Sequence, residues 1–136
     1  MCGIFGIISK QKVNLSELKL LAEHARQRGR DSSGLIIDNI DKYNVYRADY
    51  DIKKLMTGIN GSDSTVALGH SRLITNGLSD NQPVIRGDVC VIHNGIVVNY
   101  ESLWEKLKLE RHQEIDTEII AAVTEQYIKE ESSLEG

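Results

Sequence analysis

The stretch Cys2-Gly3-Ile4-Phe5-Gly6-Ile7-Ile8 constrains this chain more than any other. It is strongly apolar, yet far shorter than the ~20 residues that a membrane-spanning helix needs. Two glycines interrupt it, and polar Ser9-Lys10-Gln11-Lys12 follows at once. It is therefore read as neither a signal peptide nor a membrane span. A strand fits better, with Gly3 and Gly6 placed where another part of the chain comes close.

The rest of the chain alternates helical and extended patterns. Asn14 opens a helix with capping-box spacing to Glu17, and Leu15, Leu18, Leu21, Ala22 and Ala25 repeat at helical period. Gly29 is its expected stop. Residues 34–38 and 43–48 read as a strand hairpin, 51–57 as a short helix and 65–70 as another strand. Residues 72–88 read as mostly irregular, punctuated by Gly77, Pro83 and Gly87, and 89–93 as a strand ending in Asn94-Gly95. Asn99 is the expected N-cap of a helix bearing Tyr100, Leu103, Trp104 and Leu107. A last helix from Asp116 is expected to bury Ile119, Ile120, Val123 and Tyr127. This order predicts an α+β fold, helices packed on a mostly antiparallel sheet.

Composition narrows the function classes. At 136 residues the chain is expected to form one domain spanning 1–136, with a genuine core. Net charge is −4 and no Lys/Arg block exceeds two residues, so a nucleic-acid footprint is not expected. Cys90 lies in Val89-Cys90-Val91-Ile92 and is expected as a buried free thiol rather than a partner of Cys2. There is no CxxC pair and no His/Cys cluster at metal spacing, so neither metal nor other cofactor is expected. A cytoplasmic, reducing compartment suits such cysteine usage.

Cys2 follows the initiator methionine directly, and a small second residue favours removal of Met1. The exposed α-amine has a reference pKa of ~7.7–8.0 against ~8.5 for the thiol. It can take the thiol's proton near neutral pH, so one residue supplies nucleophile and base. On these residues alone, a Cys at position two reads first as a small core residue.

Further segments change that balance: Arg28-Gly29-Arg30-Asp31-Ser32-Ser33-Gly34, Gly69-His70-Ser71-Arg72, Asn81-Gln82-Pro83, His93-Asn94-Gly95 and Asp116-Thr117-Glu118. With Cys2-Gly3-Ile4, in this order, they resemble the glutaminase domain of class II glutamine amidotransferases, which are N-terminal-nucleophile hydrolases. The resemblance runs from the first residue to about position 130. It implies an αββα sandwich of mostly antiparallel sheets, incomplete here, and hydrolysis of the glutamine side-chain amide through a thioester on Cys2. Asn94 and Gly95 match the oxyanion-stabilising pair, although Asn-Gly alone would read as a hairpin turn. Arg72 matches the residue holding the substrate α-carboxylate, for which a planar guanidinium is suited. By itself it would read as a solvent-facing strand end. Asp116 matches the residue holding the α-ammonium, and alone would read as a helix N-cap. Both charges of a free amino acid are then recognised, which points to L-glutamine rather than a peptidyl amide.

Arg28 matches a position near the catalytic strand, where positive charge favours thiolate, and Gly29 and Gly34 read as conformational. His70 and His93 read as supporting neighbours, becoming base candidates only if the amine is blocked. His24 and His112 read as exposed. Residues 73–77 resemble the loop closing over glutamine, with Thr75 and Asn76 as substrate contacts. Asn76 stands where the sugar-phosphate branch has His, and Leu73 where an aromatic is usual. Gln82-Pro83 resembles other branches, so the branch stays open. The resemblance also implies a truncation of the domain's C-terminal half. An acceptor-site domain or subunit of synthetase, isomerase or phosphoribosyl type would then be the partner, and an exposed sheet edge or face would favour self-association. Two other functions stay open: an amidase acting on a different amide, and a non-catalytic binding or regulatory module.

Overall fold

A computed structural model describes residues 2–39, 42–60, 63–73 and 81–135. The chain divides into two compact units, Met1–Pro83 with Ile92–Gly95 and Val84–Val91 with Ile96–Gly136.

The first unit is a four-stranded antiparallel sheet in the order β1-β4-β2-β3 with two helices. β1 is Gly3–Ile8, β2 Ser32–Asn39, β3 Lys42–Ala48 and β4 Val66–Arg72; α1 is Leu15–Arg26 and α2 Ile52–Thr57. The expected cap of α1 is present: Asn14 Oδ1 accepts from the amides of Ser16 and Glu17. The helix ends at Arg26, short of Gly29. Asp51 caps α2 in the same way, through Lys54 N.

Alternation along the strands sends Phe5, Leu35, Ile37 and Ala67 to one face. There they meet Leu18, Ala22 and Ala25 of α1 and Ile52, Leu55 and Met56 of α2. Phe5 lies opposite Gly69, and any Cβ on Gly69 would run into its ring. Leu21, expected in this core, is partly exposed and lines a cavity instead. On the sheet's other face Ile4 and Ile8, from strand β1, are 51% and 78% exposed.

In the second unit β5 (Val84–Arg86) and β6 (Val89–Val91) form a two-stranded hairpin, followed by α3 (Tyr100–Lys106) and α4 (Thr117–Glu135). β5 falls inside the stretch expected to be irregular. The loop residue Gly87 has φ +54°, the left-handed region that Gly enters without cost. Val84, Ile115 and Ala121 form the core with Val89 and Val91.

Three expectations are corrected here. Cys90 is half-buried rather than buried, because it pairs with Ile85 on the hairpin's outer face. Asn99 makes no side-chain capping bond to α3. α4 buries Ile119, Ala121 and Ala122 while Val123 and Tyr127 are exposed, with the small Ala121 facing the hairpin unit's core. Among the described residues no helix is long and apolar enough to cross a membrane.

Candidate functional site

The site in the first unit grows out of strand register. Gly3 pairs with Ser71 in the antiparallel β1–β4 ladder, so Cys2, one step beyond, comes beside Arg72 at the end of β4. Ser32 of β2 pairs with Arg72 from the other side. Cys2 is half-buried, and its thiol points to the carbonyl oxygen of Leu73 at 3.7 Å. Among the described residues neither cysteine forms a disulfide.

The turn after α1 closes on the same strand end. Asp31 N donates to Arg72 O at 3.0 Å, and Ser71 Oγ donates to Gly29 O at 2.5 Å. A Cβ on Gly29 would collide with the backbone of Arg72 and Leu73, so the approach requires glycine. Arg28 follows from there: with Cys2, Gly3, Gly6, His24 and Asn94 it walls a cavity of about 490 Å³ along β1. The structure thus brings Cys2, Arg28 and Asn94 to one opening.

Asn94 and Gly95 are exposed, and the preceding residue is anchored by segment 81–83. Asn81 Nδ2 donates to Ser33 O and Ala48 O at 2.9 and 3.0 Å. Arg47 Nε and Nη2 both donate to Pro83 O, at 2.9 and 2.7 Å. Gln82, 4% exposed, accepts from His93 N through Oε1 at 2.6 Å. Gly34 makes this docking possible, since a Cβ there would strike Gln82 and Pro83.

His70 lies fully buried on β4, and among the described residues neither ring nitrogen makes a well-formed hydrogen bond. Burial, and then the nearby Arg72 guanidinium, push its pKa down to about 4, while the His93 backbone pulls weakly the other way. It is therefore neutral at physiological pH. His93 is half-buried; His24 and His112 are exposed, as expected.

Asp116 belongs to the second unit. It is 6% exposed, and its Oδ2 accepts from Val97 N at 2.8 Å. Thr75 and Asn76 lie outside the described residues. Gln82 and Asn81 belong to a motif legible in sequence, but their anchoring of His93 is not. Arg47 gives no sequence signal at all, being one basic residue on an edge strand.

Relatives place this geometry in context. The family described as glutamine amidotransferase domain matches residues 56–134. The glutamine–fructose-6-phosphate aminotransferase of Wigglesworthia glossinidia brevipalpis is 35% identical over 89% of this chain and 21% of its own length. That of Pyrobaculum aerophilum is 36% identical over 96% of this chain and 24% of its own. The solved structure of glutamine phosphoribosylpyrophosphate amidotransferase from B. subtilis, complexed with ADP and GMP, superposes with a TM-score of 0.70 at 24% identity. It covers 89% of this chain and 28% of that one. That likeness gives the fold class alone, an α+β architecture with antiparallel sheets. The chain spans roughly a quarter of the length of the curated relatives it matches. With more than half its residues matched to that domain description, this chain belongs to the glutamine amidotransferase domain family.

Proposed function

We propose that this chain hydrolyses the side-chain amide of L-glutamine through Cys2, freed of Met1, and supplies the ammonia to an acceptor site outside residues 1–136. The observation that carries this is a cavity walled by Cys2, Arg28 and Asn94 together, with Arg72 next to Cys2 at the end of the β1–β4 ladder.

The α-amine of Cys2 takes the thiol proton, and the thiolate attacks the amide carbon. Charge gathers on the carbonyl oxygen, where the Asn94 side-chain NH₂ and the Gly95 backbone N–H donate to it; losing one such donor typically costs ~10²–10³ in rate. The carbon–nitrogen bond then breaks, the amine's proton goes to the leaving nitrogen, and ammonia departs. Water cleaves the resulting thioester, giving glutamate and the free thiol. Arg72 holds the α-carboxylate by a forked pair of hydrogen bonds, and Asp116 holds the α-ammonium. Arg28 supplies positive potential at the cavity wall, Gly29 lets the strand end approach, and His70 and His93 support the site. Thr75 and Asn76 contribute substrate contacts.

On this reading, residues 1–136 are the N-terminal part of a cytoplasmic glutaminase domain. The names of the aminotransferase relatives favour fructose 6-phosphate as acceptor, handled by another domain or subunit. The apolar, uncharged β1 edge favours self-association.

The test pairs intact mass with ammonia release from glutamine. A chain that begins at Cys2 should be active, and Cys2→Ala should be silent. Equal ammonia release with and without the thiol, in Met1-free protein, would end the proposal. Equal turnover of glutamine and a peptidyl amide would instead favour a broader amidase.

A further inference from the structure

We propose that the buried Arg86–Glu118 pair is a positioning device for Asp116, fixing where the α-ammonium of the substrate is gripped. The inference rests on the proposed role of Asp116 and adds to it a specificity-determining layer within the second unit.

Glu118 is 1% exposed and Arg86 8%. Glu118 Oε1 accepts from Arg86 Nη1 at 2.6 Å and from His112 N at 2.8 Å; Oε2 accepts from Gln113 N at 2.5 Å. Arg86 Nη1 also donates to Glu110 O at 2.7 Å, and Nε to Glu125 Oε2 at 2.9 Å. Its guanidinium lies 5.7 Å from the Trp104 ring. Three backbone groups of the segment leading into α4 are thus held by one pair of side chains. Asp116 lies between that segment and Thr117, the first residue of α4.

Two features point to positioning rather than to mere bulk stability. A buried pair returns little net stability over well-packed apolar residues of similar volume, so its distinctive contribution is directional. The second feature is the carboxylate of Asp116 itself. With Oδ2 tied to Val97 N, that carboxylate presents a fixed orientation to a cation.

The test compares kcat/KM for glutamine with kcat/KM for glutaramate, the same amide without the α-ammonium, in the full chain. Asp116→Asn is the reference: it should cut the glutamine preference about tenfold or more by removing a charged contact. Glu118→Gln keeps size and one acceptor, and Arg86→Lys keeps the charge but not the fork. Both should cut the preference by about tenfold, because ångström-scale misplacement is enough, while glutaramate turnover stays within twofold. Merely structural damage would lower both substrates together.

If Asp116→Asn collapses the preference and both other variants keep it within twofold of wild type, the positioning inference is wrong and the reading of Asp116 stands. If Asp116→Asn itself changes nothing, that reading falls and takes the inference with it. Loss of cooperative unfolding in both Glu118→Gln and Arg86→Lys also overturns it, since the pair would then support the unit rather than a residue.

Discussion

Gly29→Ala isolates the link between close backbone approach and chemistry. A Cβ at this position would stand 2.5 Å from the carbonyl carbon of Arg72 and 3.0 Å from its oxygen. Ordinary carbon contacts begin near ~3.5 Å, so the methyl demands a shift of about 1 Å. Backbone, not a flexible side chain, must give way. The shift falls on Arg72, proposed above to hold the substrate carboxylate, and on Leu73, whose carbonyl the Cys2 thiol faces. Displacements of that size can cost ~10²-fold in rate, whereas overpacking typically costs ~1–3 kcal/mol in stability. Urea unfolding and glutaminase kinetics on the same preparation separate the two. The expected result is a folded protein with kcat/KM lowered by about a hundredfold. A folded Gly29→Ala protein retaining kcat/KM within about threefold would refute the argument that this glycine sets the strand end.

Four further outcomes follow from named contacts. Arg72→Lys should raise KM for glutamine by about tenfold by removing the forked grip, with kcat less affected; an unchanged KM would count against a carboxylate contact. Asp38 accepts from Thr65 N, Thr65 Oγ1 and Val66 N, and chiefly the Val66 amide holds its pKa below the ordinary value. Asp38→Ala should therefore cost about 2–4 kcal/mol at neutral pH. Because the folded value is the lower one, that contribution is present above the unfolded pKa of ~3.9 and fades as pH falls through the folded value; urea midpoints for both proteins across pH would show them converging in acid. His70 should titrate near 4 by NMR rather than near 6.5. Between those values the unfolded chain binds a proton that the folded chain refuses, so stability declines as pH drops through this window, by about 3 kcal/mol at its foot; titration near 6.5 would show the ring to be solvated. Leu18→Ala, in the fully buried centre of the first unit, should cost about 2–5 kcal/mol in urea unfolding; a smaller loss would show the core to be loosely packed there.

Local chemistry was legible where one residue decides the outcome. Asn14 caps its helix because a short acceptor side chain precedes an apolar period; Asp51, read only as part of a short helix, caps α2 in the same way. The β2–β3 hairpin and β4 fall where alternating runs predict them. Tertiary choices were not legible. Residues 84–86 make a strand too short to stand out between Pro83 and the Gly87 turn. The inner face of α4 is chosen by Ala121 and Ala122, whose smallness permits close packing, over the larger Val123 and Tyr127. In the site, the register that sets Cys2 beside Arg72 joins residues 70 positions apart, which no local pattern can announce. The Arg86–Glu118 pair is equally silent, because an isolated charge in a sequence reads as surface.

β1 has one consequence for motion. Among the described residues it is bonded along one margin only, to β4. Its amides that face β4 should exchange slowly with solvent deuterium, while the alternating amides on the open margin exchange freely. Fraying can therefore start at the chain's beginning and withdraw the thiol without melting the helices behind it. The reactive group would then have an on–off equilibrium of its own, one that anything seated along that margin would pull toward the engaged state.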